Sequence, residues 1–328
     1  MGEFELIERY FKRPVRRVVL GVGDDCALLA LPAGAQLAVS TDMLVEGHHF
    51  FAGVDPRTLG HKALAVNLSD LAACGAEPMS FTLALALPHI DEAWLAAFSQ
   101  GLFALADSHD CELVGGDTTR GPLNICITVM GSVPAPAGQN QALLRSGARP
   151  GDDLYVSGHL GDARLALEAL RGNITLPPAL LHAARQRLEE PSPRIALGLA
   201  LRGLASAAMD LSDGLVGDMG HLLTASQVGA TLNTEAALSL LAARSHRDWP
   251  SAGVNPAQAL RCVLSGGDDY ELLFTAPPTA RSAILAAAQL SDTPVACIGR
   301  IDAQPGLRLV DAAGAAMPNH FTSFDHFA

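Results

Sequence analysis

Aspartate recurs in this chain where β-rich runs end and turns begin. Asp24, Asp25, Asp42, Asp117, Asp210, Asp213, Asp218, Asp268 and Asp269 mostly neighbour apolar residues or glycine, as in Val39-Ser40-Thr41-Asp42-Met43-Leu44 and Leu113-Val114-Gly115-Gly116-Asp117. One such Asp is an Asx-turn or a helix cap, for which its short carboxylate is suited. A whole set beside β-core segments points to a further use. Asp70 is the sharpest case, inside Ala63-Leu64-Ala65-Val66-Asn67-Leu68-Ser69-Asp70-Leu71-Ala72-Ala73, where helical spacing stacks Val66, Asn67, Asp70 and Cys74. An ionised carboxylate on a largely apolar helix is costly unless it is paired or binds a cation. An arginine partner is one solution, and a metal ion shared with other aspartates is the other. Two carboxylates about 4 Å apart repel by about 4 kcal/mol at an effective dielectric of about 20. A cluster therefore needs divalent cations, and all-oxygen ligands favour Mg2+, Mn2+ or Ca2+.

Other chemistry is excluded by pattern. A P-loop needs G-x-x-x-x-G-K-S/T, yet Lys12 precedes Arg13 and Lys62 precedes Ala63. Gly21-Val22-Gly23 begins like a dinucleotide or kinase glycine loop, but Cys26 stands where the last glycine belongs. No G-x-S-x-G or H-E-x-x-H occurs. The 22 Lys+Arg against 34 Asp+Glu leave a net charge of −12 without basic runs, which disfavours nucleic acid and membrane surfaces as partners. The acids divide into 22 Asp and 12 Glu; Glu is the better helix former, so the excess fits turns, caps and metal ligands. Six cysteines form no C-x-x-C pair or Cys/His cluster and read as reduced, buried thiols. The start Met1-Gly2-Glu3-Phe4-Glu5 lacks a signal-peptide layout, and no stretch approaches the length of a spanning helix. A cytoplasmic location is the expectation.

The elements that must position these residues are legible in outline. In the first half, short strands are predicted at 18–20, 37–40, 81–87, 112–114 and 125–133, with helices over 57–74 and 91–108. Gly115-Gly116-Asp117-Thr118-Thr119 reads as a loop between the last two strands. The run 134–141, rich in Pro, Gly, Asn and Gln, is the best boundary. It divides the chain into an N-terminal domain, 1–137, and a C-terminal domain, 138–328. Beyond it a strand at 153–157, helices broken at Gly172 and Pro191, a loop at 209–214 and another at 266–269 lead to strands at 270–275, 295–301 and 307–310. Without a strict β-α-β rhythm, the chain reads as two α+β domains.

Six segments carry a resemblance. They are Gly23-Asp24-Asp25-Cys26-Ala27, Ser40-Thr41-Asp42-Met43-Leu44-Val45-Glu46-Gly47-His48-His49-Phe50, Asn67-Leu68-Ser69-Asp70-Leu71-Ala72-Ala73, Gly115-Gly116-Asp117-Thr118-Thr119, Met209-Asp210-Leu211-Ser212-Asp213-Gly214-Leu215 and Ser265-Gly266-Gly267-Asp268-Asp269-Tyr270-Glu271-Leu272. In this order, and over nearly the whole chain, they resemble the bacterial thiamin-monophosphate kinase family. The resemblance implies a two-domain α+β fold like that of aminoimidazole-ribonucleotide synthetase, with N-terminal strands forming a barrel across a homodimer interface. It implies ATP-dependent phosphorylation of thiamin monophosphate to thiamin diphosphate with several Mg2+ ions. By motif position the metal ligands would be Asp25, Ser40, Thr41, Asp42, Asp70, Asp117, Asp210 and Asp213. ATP would meet Gly116, Asp117, Arg145 and Ser212, and the substrate would meet His49, Asp268 and Phe324. Asp268 stands where the family commonly has Glu. Gln100 stands where some members carry a nucleotide-packing Tyr, so that role is not carried over.

The electrostatics agree with this reading. ATP, a phosphate ester and a chain at −12 repel one another unless divalent cations bridge carboxylates to phosphates. Such metal-saturated carboxylates are poor nucleophiles, so direct transfer without a covalent phosphoenzyme is expected. Two alternatives stand beside it. One is another ATP-dependent enzyme of the same superfamily, against which the cysteine placement argues. The other is a non-catalytic Asp-rich cation-binding protein, which has no use for Arg145, His49 or Gly116.

Overall fold

Leu37, Val39 and Met43 alternate with Ser40, Asp42 and Leu44, the period of a strand with two unlike faces. That strand, β1 (Ala35–Val45), is longer than the sequence suggests and forms one edge of a four-stranded sheet. The helix α2 (Pro56–Cys74) follows, ended by Gly75, then β2 (Glu77–Leu87) and α3 (Glu92–Ser108). Asp91 caps α3, accepting the amides of Ala93 at 2.9 Å and Trp94 at 3.0 Å. The sheet is completed by β3 (Glu112–Arg120) and β4 (Asn124–Pro134), in the order β1-β4-β2-β3. These elements and α1 (Glu3–Tyr10) lie in the first of two units, Met1–Leu71 with Ala76–Ala142; the second is Ala72–Gly75 with Leu143–Ala328. The computed structural model describes residues 2–322.

Two expectations change in the first unit. Residues 18–20 form no strand, only bends and one bridge between Leu20 and Leu28. The Gly-Gly-Asp-Thr-Thr run is not a loop but part of β3, paired in parallel with β2 from Thr82↔Gly115 to Leu87↔Arg120. Glycine lowers intrinsic strand propensity, but pairing to a buried neighbour overrides it. Gly116 adopts φ +142, and a Cβ there would lie 1.9 Å from the Leu83 carbonyl oxygen, so no larger residue fits. The helices also meet closely. A Cβ on Gly60 of α2 would lie 2.1 Å from the Phe98 carbonyl oxygen, and one on Gly101 of α3 would lie 1.8 Å from that of Arg57. That contact fixes where α2 lies against α3.

The second unit holds β5 (Asp153–Ser157), α4 (Asp162–Leu170), α5 (Pro178–Glu189), α6 (Ile195–Ala200), β6 (Ala207–Leu211) and α7 (Leu215–Ser226). After these come β7 (Gly229–Asn233), α8 (Thr234–Leu238), α9 (Pro256–Ser265), β8 (Glu271–Ala276), α10 (Arg281–Leu290), β9 (Val295–Asp302), β10 (Gly306–Val310) and β11 (Ala316–Met317). Its seven strands run in the order β11-β10-β7-β9-β5-β8-β6. Every residue of β5, β6 and β8 is buried, so these strands are covered on both faces. Leu154, Val156, Met209, Leu211, Leu273 and Ile298 contribute to the core around them. Residues 207–211, expected partly as loop, are strand, because antiparallel pairing with β8 extends from Ala207↔Thr275 to Leu211↔Glu271. Among the described residues no helix is long and apolar enough to cross a membrane.

Candidate active site

In the first unit the expected metal ligands separate by strand face. Ser40 and Asp42 share the face of β1 that meets α2. The Ser40 hydroxyl donates to an Asp70 carboxylate oxygen at 2.5 Å. The Asp42 amide donates to Asn67 Oδ1 at 3.0 Å, while Asn67 Nδ2 donates to the Ala63 carbonyl at 3.0 Å. Asn67 and Asp70 stand three residues apart on one face of α2, so helical spacing aims both at β1. Thr41 points the other way and shares a hydroxyl–hydroxyl hydrogen bond of 2.8 Å with Thr128 of β4. Asp25 is exposed in the turn after Gly23, where its amide donates to the Asp24 carboxylate at 2.9 Å.

Asp117 is not brought to Asp42 within the chain. The register runs Asp42↔Ile127↔Leu83↔Gly116 across β1, β4, β2 and β3. Three strand spacings place the two edges about 14 Å apart. Asp117, exposed on β3, shares the sheet face of Ala84, Cys126 and Met43 rather than that of Asp42. Burial, and then the Asp42 charge, raise the Cys126 pKa.

His49 ends a tight turn in which the Gly47 amide donates to the Phe50 carbonyl at 2.8 Å. The Val45 amide donates to His49 Nδ1 at 3.0 Å. Nδ1 is therefore an acceptor in this geometry, which places the proton of a neutral ring on Nε2.

In the second unit Asp210 is buried near the end of β6, opposite Leu272 of β8. Ser212, Asp213 and Gly214 form the turn into α7. Asp218, in the first turn of that helix, accepts the amides of Asp213 at 3.0 Å and Gly214 at 3.1 Å through one oxygen. Burial pushes its carboxyl up to about 6 although these amides oppose the shift. The neighbouring 266–270 loop is tied to the same turn, since the Asp268 amide donates to the Ser212 carbonyl at 2.9 Å and the Tyr270 amide to the Leu211 carbonyl at 2.8 Å.

Arg145 is exposed at the other end of α7, where its carbonyl accepts the Ser226 hydroxyl at 2.9 Å. The 12 residues of α7 separate it from Ser212 by about 18 Å. Phe324 lies outside the described residues.

Two supporting residues, Asn67 and Asp218, carry no clear signal in the sequence. Asn67 was visible only as a member of the polar stack with Asp70. Asp218 was visible as an Asp four residues after a glycine turn, a spacing that suits a helix-start brace.

All the expected metal-binding side chains offer oxygen, which fits a hard divalent cation. Among the described residues no three His, Cys, Asp or Glu side chains converge into a cage. Mg2+ is commonly held by one or two carboxylates together with substrate phosphates and water, so such a donor set fits it.

Residues 23–133 match the AIR synthase related protein N-terminal domain, and residues 149–312 match the C-terminal domain. The thiamine-monophosphate kinase of Salmonella typhimurium is 48% identical over 333 aligned positions, covering 100% of this chain and 98% of the relative. The crystal structure of thiamine-monophosphate kinase from Stenotrophomonas maltophilia K279a is 43% identical with a TM-score of 0.82, covering 96% of both chains. A solved structure of AaThiL complexed with AMPPCP and TMP is 30% identical with a TM-score of 0.76, covering 91% of this chain and 89% of that one. The chain belongs to the thiamine-monophosphate kinase family, within the AIR synthase related proteins.

Proposed function

We propose that this chain transfers the γ-phosphate of ATP to the phosphate of thiamin monophosphate, giving thiamin diphosphate and ADP. The full-length likeness to proteins named thiamine-monophosphate kinase carries the reading. The oxygen-rich side chains of both units support it. In this reading Asp25, Ser40, Thr41, Asp42, Asp70 and Asp117 of the first unit, and Asp210 and Asp213 of the second, hold Mg2+. Bound Mg2+ neutralises the repulsion between the γ-phosphate and the acceptor phosphate and helps to align them.

The chain's own groups supply binding and orientation. Gly116 meets ATP through its backbone, and Ser212 and Arg145 meet other parts of the nucleotide. His49 donates from Nε2 to the substrate phosphate. Asp268 offers a carboxylate to the thiamin cation, and Phe324 an aromatic face. The acceptor is already an oxyanion and needs little help from a base, so positioning dominates the step. Transfer is direct and in line, with inversion at phosphorus.

The working unit in this reading is a homodimer built on the N-terminal domain, 1–137, with 138–328 as the C-terminal domain. Leu37, Val39 and Met43 are 44%, 58% and 52% exposed along one face of edge strand β1, which supports a covering second copy. A second copy would also let the partner subunit's Asp117 complete a site that includes Asp42. The reading keeps a cytoplasmic location, although of the six thiols expected to be buried only Cys111 and Cys262 are; Cys74 and Cys126 are half-buried and Cys26 and Cys297 exposed, because bend, helix-end and open sheet-face positions leave them uncovered.

The test offers ATP and Mg2+ with either thiamin monophosphate or free thiamin. Thiamin diphosphate should form from the monophosphate, while free thiamin should be phosphorylated at most slowly. Comparable turnover of free thiamin contradicts the assigned acceptor.

A further inference from the structure

Asp269 lies within the 266–270 loop, Glu271 follows it, and Asp162 follows the Gly161 that Asp269 holds; none has a part in the reading above. Glu271 opens β8 and is fully buried. Its carboxylate accepts from Ser157 Oγ at 2.6 Å, from Arg187 Nη2 at 2.7 Å, and from Arg194 through Nε at 2.6 Å and Nη2 at 2.5 Å. Two guanidinium groups on one buried carboxylate fix its position closely. Asp269, also buried, accepts the Gly161 amide on both oxygens, at 2.9 and 3.1 Å. Asp162 accepts the amides of Ala242 at 3.0 Å and Ala243 at 2.8 Å. The turn between β5 and α4 is thereby tied to the 266–270 loop.

Between these anchors, Asp268 at φ +66 and Tyr270 at φ +51 lie in the left-handed region. For a residue with a side chain that conformation costs about 1–2 kcal/mol and persists where its surroundings enforce it. The enforcing contacts are the Asp269 and Glu271 carboxylates on one side and the Ser212 and Leu211 carbonyls on the other.

We propose that Asp269 and Glu271 are positioning residues that clamp the 266–270 loop, through Gly161 and through Arg187 and Arg194, so that Asp268 meets thiamin monophosphate. The inference rests on Asp268 being a substrate contact. The facing turn has a separate brace, because Asp218 holds the Asp213 and Gly214 amides. Loosening Asp269 therefore disturbs the substrate side and leaves Ser212 held.

Steady-state kinetics of the full chain with ATP, Mg2+ and thiamin monophosphate read the clamp. Asp269→Ala should raise KM for thiamin monophosphate about ten-fold and leave KM for ATP within about two-fold. Asp269→Asn keeps an oxygen for the Gly161 amide and should recover most of that loss. Asp268→Asn should raise the same KM, and adding Asp269→Ala to it should change little more, because the clamp acts through Asp268. If Asp269→Ala does not fold, Arg187→Met, which leaves Arg194 on Glu271, should raise the same KM. Amide exchange in 266–270 should quicken in whichever of these two variants folds, whatever its activity. Unchanged KM and exchange beside a lowered melting temperature, or effects that multiply in the double variant, would overturn the clamp. Wild-type protein that makes no thiamin diphosphate overturns the functional reading instead, and amide exchange still decides the clamp.

Discussion

Asp70 tests the shared-cation idea with one side chain. Asp70→Asn keeps an acceptor for the Ser40 hydroxyl but removes the charge, so turnover should fall by about 100- to 1,000-fold in a Mg2+-dependent assay. Added Mg2+ should raise the melting temperature of the wild type more than that of the variant, since the variant has lost a charged ligand. Full activity in the variant contradicts the assignment. Asp269 carries a pH signature. Burial raises its carboxyl well above the usual range, against the opposing Gly161 hydrogen bond. The folded state therefore binds that proton more tightly than the unfolded chain does. The stability it contributes is full below the ordinary Asp pKa and is lost as pH rises through the folded value. Urea unfolding should show wild-type stability falling more steeply with rising pH than that of Asp269→Asn; equal slopes count against it. At this scale the sequence showed which carboxylates were unusual but not what braces them. Asn67 and Asp218 act on backbone amides of Asp42, Asp213 and Gly214, and such contacts depend on the fold rather than on spacing alone.

The helix α2 carries both Asn67 and Asp70, so its place against α3 sets the geometry beside β1. Gly60→Ala would bring a methyl to 2.1 Å from the Phe98 carbonyl oxygen, which backbone alone must relieve. A loss of about 1–3 kcal/mol in chemical denaturation is expected, with reduced turnover because Asp70 moves with the helix. Wild-type stability would show that the two helices separate freely. Long periodic elements were legible: α2, α3 and its Asp91 cap follow from pattern and capping chemistry. The Gly-Gly-Asp-Thr-Thr segment was not, since its strand conformation comes from pairing with β2 rather than from its own residues. The short β7 and the helices α8 to α10 likewise leave no clear pattern in the sequence. Small, alanine-rich segments carry weak periodicity, and tertiary packing decides them.

At the scale of the whole molecule, the aspartate motifs were legible as a family pattern, but their division between sheet edges was not. Register puts Asp42 and Asp117 at opposite edges of one sheet, about 14 Å apart. If a second copy joins them, the protein should run at twice the 34.1 kDa chain mass in solution. Mixing and re-equilibrating inactive Asp42→Asn and Asp117→Asn proteins should then restore activity that neither has alone. A monomer at full activity, or no recovery on mixing, contradicts the shared site. Metal-assisted, direct transfer from ATP to the phosphate of thiamin monophosphate underlies all of these expectations. The most direct measurement follows the label of γ-labelled ATP incubated with the protein, with and without thiamin monophosphate, in Mg2+ or in chelator. Direct transfer requires label in thiamin diphosphate only when both Mg2+ and thiamin monophosphate are present, with none retained on the protein. Labelled protein in the absence of thiamin monophosphate, or no labelled thiamin diphosphate when Mg2+ and thiamin monophosphate are both present, would contradict it.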